Sequence, residues 1–255
     1  MAFFFSPKIV TNGLVLALDA ANNKSYPGNG ITWSDLSGNG YTGTLENGVI
    51  WEPENGGYWN LSSSNIPENA HLSMPYDSYW DDNVFGNATN FTISCWTQCD
   101  KDDFYDWSTI IQKSGNGTNY SNSEGASLWA RSGSAGNEGR FQAVFGNGQL
   151  GNPAGSSSIL TYNVTDASQW HNLAFTGEGS AGTGTLKFYV NGVEEGSDSI
   201  PTRTVVETNT NPIAFGRRGS SLDYLGKISN VYLYTRALSP TEVLQNYNAL
   251  KSRFT

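Results

Sequence analysis

Cysteine and histidine are nearly missing from this chain of 255 residues, with two of each, and their scarcity removes several functions at once. Cys95 and Cys99 are too few for a disulfide framework. On one extended strand they stand about 13 Å apart, against a limit of roughly 7 Å for bridged Cα atoms. Both fall in phase with Phe91 and Ile93, so they read as small buried hydrophobes. No further Cys or His nearby completes a metal set around them. His71 and His171 leave little basis for histidine-dependent catalysis, and His171 reads as a structural or surface residue of a strand beside the core.

Basic residues are also few. Fourteen Lys and Arg against 23 Asp and Glu give a formal net charge of −9, and they are scattered apart from Arg217-Arg218. That excludes nucleic acid, whose phosphates require clustered cations, and it excludes docking on an anionic membrane. No apolar run approaches transmembrane length. The opening MAFFFSPKIV lacks a basic n-region, and its apolar run, Ala2–Phe5, is broken by Pro7 and Lys8. It is not expected to be a secretory signal. No Pro-rich linker, charge block or repeat divides the rest. The expected organisation is an N-terminal arm over residues 1–12 and a single domain over 13–255.

What the chain has instead is turn chemistry. Glycine supplies 29 residues and charged residues only 15%, the composition of many short strands joined by tight loops. Gly13–Asp19 is apolar on both alternating faces and is expected to be a central strand. Further strands are expected at Thr44–Trp51, Gly57–Leu61, His71–Met74, Phe91–Gln98, Ser108–Lys113, Ala126–Ala130 and Arg140–Phe145. Trp170–Thr176, Thr185–Val190 and Gly226–Tyr234 complete the set. Period-two alternation puts Phe91, Ile93, Phe141, Phe175, Leu186, Phe188 and Leu233 in the core, with Trp96 on the opposite face of its strand. Asn191-Gly192 tolerates positive φ twice and predicts a tight hairpin. The phase slip after Ile228 predicts a β-bulge at Ser229-Asn230. The one expected helix is Ser239–Ser252, with Ser239 as cap, Pro240 in the first turn and Glu242 closing a capping box.

Chemistry-bearing motifs are sparse. G-x-G-x-x-G occurs at Gly38–Gly43, Gly146–Gly151 and Gly177–Gly182, but none opens a helix, as a dinucleotide site requires. Phosphate-loop, nucleophile-elbow and zinc-hydrolase motifs are absent, and so is the paired-glutamate strand that glycoside hydrolysis needs. The richest polar–aromatic segment is DKDDFYDW over 100–107. There Asp100, Asp102 and Asp103 are candidate calcium ligands, and Tyr105 and Trp107 are candidate stacking surfaces for a sugar; an ordinary acidic surface turn is the alternative. A second such loop over 75–86 offers Trp80 beside Asp81 and Asp82. Arg218 is a candidate contact for an anionic sugar, or else a partner for a carboxylate such as Asp223.

Three cassettes, FTISCWTQ, WHNLAFT…GTLKFYVNGVEEG and NPIAFGRRG…YLGKISNVYLY, stand in this order ahead of TRALSPTEVLQNYNAL. Together they resemble the laminin-G/concanavalin A-like lectin and glucanase superfamily. The resemblance implies an all-β, two-sheet antiparallel jelly-roll sandwich with one short C-terminal helix, and calcium as an optional ligand. The opening, FSPKIVTNGLVLALDAANNKSYPGNG and onward, resembles lectin-like structural proteins of tailed bacteriophages of marine and cyanobacterial hosts. That resemblance implies a non-enzymatic virion surface protein, a capsid decoration or tail-fibre component assembled in the host cytoplasm. Its partners would be other virion proteins, a second copy of itself, or a host-surface glycan. A glycan-active hydrolase and a cellular adhesion module are the alternatives within the same fold. Phe3, Phe4 and Phe5 cannot all face inward on an extended chain, so the arm is either an attachment device or an edge strand folded back on its own domain.

Overall fold

A computed structural model describes residues 7–61, 70–85, 88–99, 108–113, 124–133, 138–147, 158–202, 210–218 and 222–255. Within them two antiparallel sheets face one another. Numbered in chain order, the first sheet runs β14 (Val193–Ser199), β13 (Thr185–Val190), β12 (His171–Glu178), β7 (Phe91–Gln98), β18 (Lys227–Tyr234), β5 (Tyr58–Asn60) and β4 (Ile50–Glu52). Beside β5, β1 (Leu14–Asp19) also pairs with β18. The second sheet runs β11 (Ser158–Val164), β10 (Gly139–Asn147), β9 (Glu124–Ser132), β8 (Ser108–Lys113), β15 (Ile213–Phe215), β6 (His71–Met74), β3 (Thr42–Glu46) and β2 (Thr32–Ser34). A small ribbon joins β16 (Arg217–Arg218) to β17 (Leu222–Asp223), and two helices, α1 (Ser78–Asn83) and α2 (Pro240–Leu250), complete the chain.

Alternation decides what each strand buries. Phe91, Ile93, Phe141, Phe175, Leu186, Phe188 and Leu233 are all at most 1% exposed, within one cluster between the sheets. Aromatic rings tie the layers: Phe91 of β7 stacks on Phe145 of β10 at 5.6 Å, and Trp33 of β2 meets Trp59 of β5 edge-on at 5.4 Å. Gly177 lies opposite Phe91, and a Cβ there would run into the Phe91 ring. The Asn191-Gly192 hairpin forms with φ of 52° and 80°, as its type I′ chemistry requires. The bulge falls between Ile228 and Asn230.

Three expectations need correction. β1 is not central; among the described strands it pairs with β18 alone. Its outer backbone groups are met by a loop instead: Ala17 N–H donates to Asp35 Oδ1 (2.9 Å), and Leu36 N–H donates to the Ala17 carbonyl (2.8 Å). Burial on both faces had resembled a central position, because a covered edge leaves the same apolar pattern. Thr44–Trp51 is not one strand. Asn47 and Gly48 both take positive φ, 56° and 79°, and this turn sends β3 and β4 to different sheets. The segment 75–86 is not simply a loop either; Asp77 caps α1, accepting from Tyr79 N–H at 2.9 Å.

The outer face of the first sheet lies under α2. Ser239 accepts from Glu242 N–H (3.3 Å), while Glu242 Oε2 accepts from Ser239 N–H (2.9 Å), closing the capping box. Ala17, Ala174, Tyr189, Tyr232, Tyr234, Leu238 and Val243 form a second buried cluster there. Val10 belongs to it. Its N–H donates to Asn246 Oδ1 (2.8 Å), Asn246 Nδ2 donates to Tyr234 Oη (3.0 Å), and that hydroxyl donates to the Val10 carbonyl (2.9 Å). The arm is therefore docked from Lys8 to Val10, whereas Phe3, Phe4 and Phe5 lie outside the described residues.

Candidate functional site

A cleft of about 270 Å³ opens where β12 begins, the β7 end lies beside it and the chain's C-terminus crosses over both. Its lining is largely aromatic. Trp96 points out of β7, away from the intersheet core, and is held between Phe254 (4.3 Å, nearly parallel) and Tyr247 of α2 (5.5 Å, nearly parallel). Trp170, half-buried just ahead of β12, packs on Phe254 at 4.8 Å and on Tyr58 at 5.4 Å. With the Asn55 amide turned to satisfy both its ends, the Trp170 indole N–H donates to Asn55 at 3.2 Å. Tyr162, half-buried on β11, completes the wall beside His171 at 5.9 Å between rings.

Polar groups interleave with these rings. Asp166 accepts from Ser168 N–H (3.0 Å), from the Ser168 hydroxyl and from Gln169 Nε2 (3.3 Å). The Ser168 hydroxyl and then its backbone N–H hold the Asp166 carboxyl below the usual carboxylate range. Exposed and ionised near neutral pH, it is a standing hydrogen-bond acceptor. Asn191, at the tip of the β13–β14 hairpin, accepts from Asn172 N–H through Oδ1 (2.9 Å) and reaches the same cleft. His171 is 5% exposed, and burial pushes its imidazole down from the ordinary value, outweighing the opposing Gln169 backbone and Asp166 charge. The Gln169 backbone lies beside the ring, which reaches the cleft at its edge. Flat apolar faces bordered by the Asp166 carboxylate, two side-chain amides and an imidazole form a surface that can stack on a ring and bind its hydroxyls.

The residues expected from the sequence fall elsewhere. Trp80 is 0% exposed, packed in the intersheet core against Tyr41 (4.4 Å) and Tyr79 (5.5 Å), so it presents no face to a ligand. Its neighbour Asp81 is 4% exposed and ion-paired with Lys113. Asp100, Asp102, Asp103, Tyr105 and Trp107 lie outside the described residues. Arg218 is placed by its backbone on β16, opposite Leu222. Local sequence pattern does not reveal the cleft residues as one site, because they come from stretches far apart in the chain between Trp96 and Thr255. The readable signal was local: an aspartate two residues ahead of a serine makes an Asx turn, and Trp96 and Tyr247 are aromatics on faces turned away from the main core.

The two facing antiparallel sheets with one C-terminal helix define a concanavalin A-like β-sandwich. Residues 76–244 match the concanavalin A-like lectin/glucanases superfamily, and the chain belongs to it. Among solved structures it is similar to the binding domain of botulinum neurotoxin serotype D/C (TM-score 0.66, 16% identity, 94% of this chain and 53% of that one). It is similar to a botulinum neurotoxin type C structure, whose description ties cell entry to interaction with two ganglioside molecules (TM-score 0.66, 16%, covering 94% and 52%). The type G receptor-binding domain gives a TM-score of 0.58 at 17% identity, covering 92% and 51%. At these identities the likeness is one of fold, and the chain spans about half the length of those domains. A search of curated proteins finds no match.

Proposed function

We propose that this protein is a non-catalytic, glycan-binding surface module of a bacteriophage virion, and that the Trp170 cleft is its sugar site. The observation that carries the binding half is the cleft's composition: half-buried Trp170 and Tyr162 beside Asp166, Gln169 and Asn191. Sugars present C–H faces that pack on aromatic rings and hydroxyls that pair with amides and carboxylates. The ganglioside dependence stated for the type C neurotoxin supports this reading through shared architecture. A non-hydrolytic role is supported by the lining itself. Asp166 supplies its one side-chain carboxylate among the described residues, its carboxyl lies below the usual carboxylate range, and retaining hydrolysis uses a carboxyl pair about 5 Å apart.

The virion setting is supported by the opening segment's resemblance to phage lectin-like proteins. In this reading Phe3, Phe4 and Phe5, just ahead of the docked Lys8–Val10, hold the domain to a neighbouring virion protein or a second copy. A glycan array probed with the full-length chain tests the binding half: retention of a defined glycan class is expected, and uniform failure to bind overturns it. Incubation with laminarin and related β-glucans should release no reducing ends; release would establish the hydrolase reading instead. Deleting residues 1–6 should leave the melting temperature unchanged while removing the protein from virions, and full incorporation of the truncated chain would refute the attachment role.

A further inference from the structure

The second sheet carries a lysine where its pattern calls for a hydrocarbon. Lys113 stands directly across from Ile213 on β15, which stands across from Met74 on β6, so the three share one face. Ile213 and Met74 belong to the intersheet core at 1% exposure, and Lys113 is itself 2% exposed. Its Nζ sits directly against Oδ1 of Asp81, from α1, while the other carboxylate oxygen, Oδ2, is buried without a hydrogen-bond partner. Tyr76 flanks the pair, its ring centroid 5.0 Å from Nζ.

An ion pair in such a place is poorly served. Both charges forfeit hydration, and the attraction offsets that loss only where the remaining lone pairs are also satisfied. Here one carboxylate oxygen is not. An amide between the same two side chains is neutral and has one oxygen fewer, so no charge remains to be desolvated.

We infer that Lys113 and Asp81 are joined by an intramolecular isopeptide bond formed spontaneously within the folded domain. A proton passes from the Lys113 ammonium to the Asp81 carboxylate, and the free amine then adds to Asp81 Cγ. The Nζ–Cγ bond forms, a Cγ–O bond breaks, and the departing oxygen leaves as water with two protons that began on Nζ. No oxidant or other reactant enters. Burial holds the two groups in contact and keeps bulk water from reversing the condensation. The bond ties core strand β8 to α1 and closes a covalent loop over residues 81–113 that contains all of β7. It is independent of the glycan reading.

Intact-mass spectrometry of the denatured full-length chain reads the result without any variant. The expected mass lies one water below that of the encoded sequence, and protease digestion should yield a branched peptide carrying both Lys113 and Asp81. Lys113→Ala and Asp81→Ala should each restore the full mass of their own sequences. A parent chain at full encoded mass, with the peptides bearing residues 81 and 113 recovered separately, overturns the assignment and leaves a buried salt bridge.

Discussion

The intersheet core and the end cleft use the same residue types for opposite ends. In the core, Phe91, Phe145 and Phe175 are enclosed on every side, with ring contacts at 5.3 and 5.6 Å and no exposure. In the cleft, Trp96 is stacked just as closely on Phe254, but Trp170, Tyr162 and Tyr247 at its margin remain only half-buried. Aromatic area enclosed completely is stability; aromatic area left half open beside fixed polar groups is capacity to bind. The difference is set by what crosses each region. A second sheet closes the core, whereas a single helix and the last few residues only partly roof the cleft.

The largest effect that separates the regions is expected at Phe188, 1% exposed on β13. Phe188→Ala should cost about 3–5 kcal/mol in denaturant unfolding and leave glycan affinity per folded molecule intact. An unchanged thermal midpoint would break the core assignment. Next comes the network beneath α2. Asn246→Ala strands Val10 N–H in a buried site and takes from the Tyr234 hydroxyl the bond it accepts, a loss of about 1–3 kcal/mol that equilibrium unfolding should register. Ser239→Ala removes the acceptor for a first-turn amide and should cost about 1 kcal/mol.

The smallest effect is a pH signature. The Arg236 guanidinium, with Ser239 adding to it, pulls the Glu242 carboxyl down from 4.5 to about 2. A depressed folded value means that the stabilisation is complete above the unfolded value of 4.5 and fades as pH falls towards about 2. Because the pair is partly solvated, its size is about 1 kcal/mol or less. Glu242→Gln should lower stability at neutral pH and flatten the acid limb in that window. An acid limb identical to the parent's would show that the ion pair contributes nothing.

Most of the core was legible in the sequence because strand alternation is local: Phe91, Ile93, Phe175 and Leu186 follow from period two alone. The capping box, the Asn191-Gly192 hairpin and the bulge after Ile228 are likewise written in neighbouring residues. The edge position of β1 was not, because a loop covers it through Asp35 and leaves no mark on the strand itself. Nor was the cleft, since Trp96, Trp170 and Phe254 are brought together by topology across most of the chain. Trp80 shows the converse error: an aromatic beside aspartates looks like a sugar platform, but its ring completes the core and Asp81 faces a buried lysine.

Glycan binding in the cleft should depend most directly on Trp170. Isothermal titration of the full-length protein with a glycan retained on the array, repeated with Trp170→Ala, decides it. The prediction is a loss of at least about tenfold in affinity, about 1.4 kcal/mol, with the variant still folding cooperatively. Equal affinity in the folded variant would contradict the assignment of the cleft as the binding site.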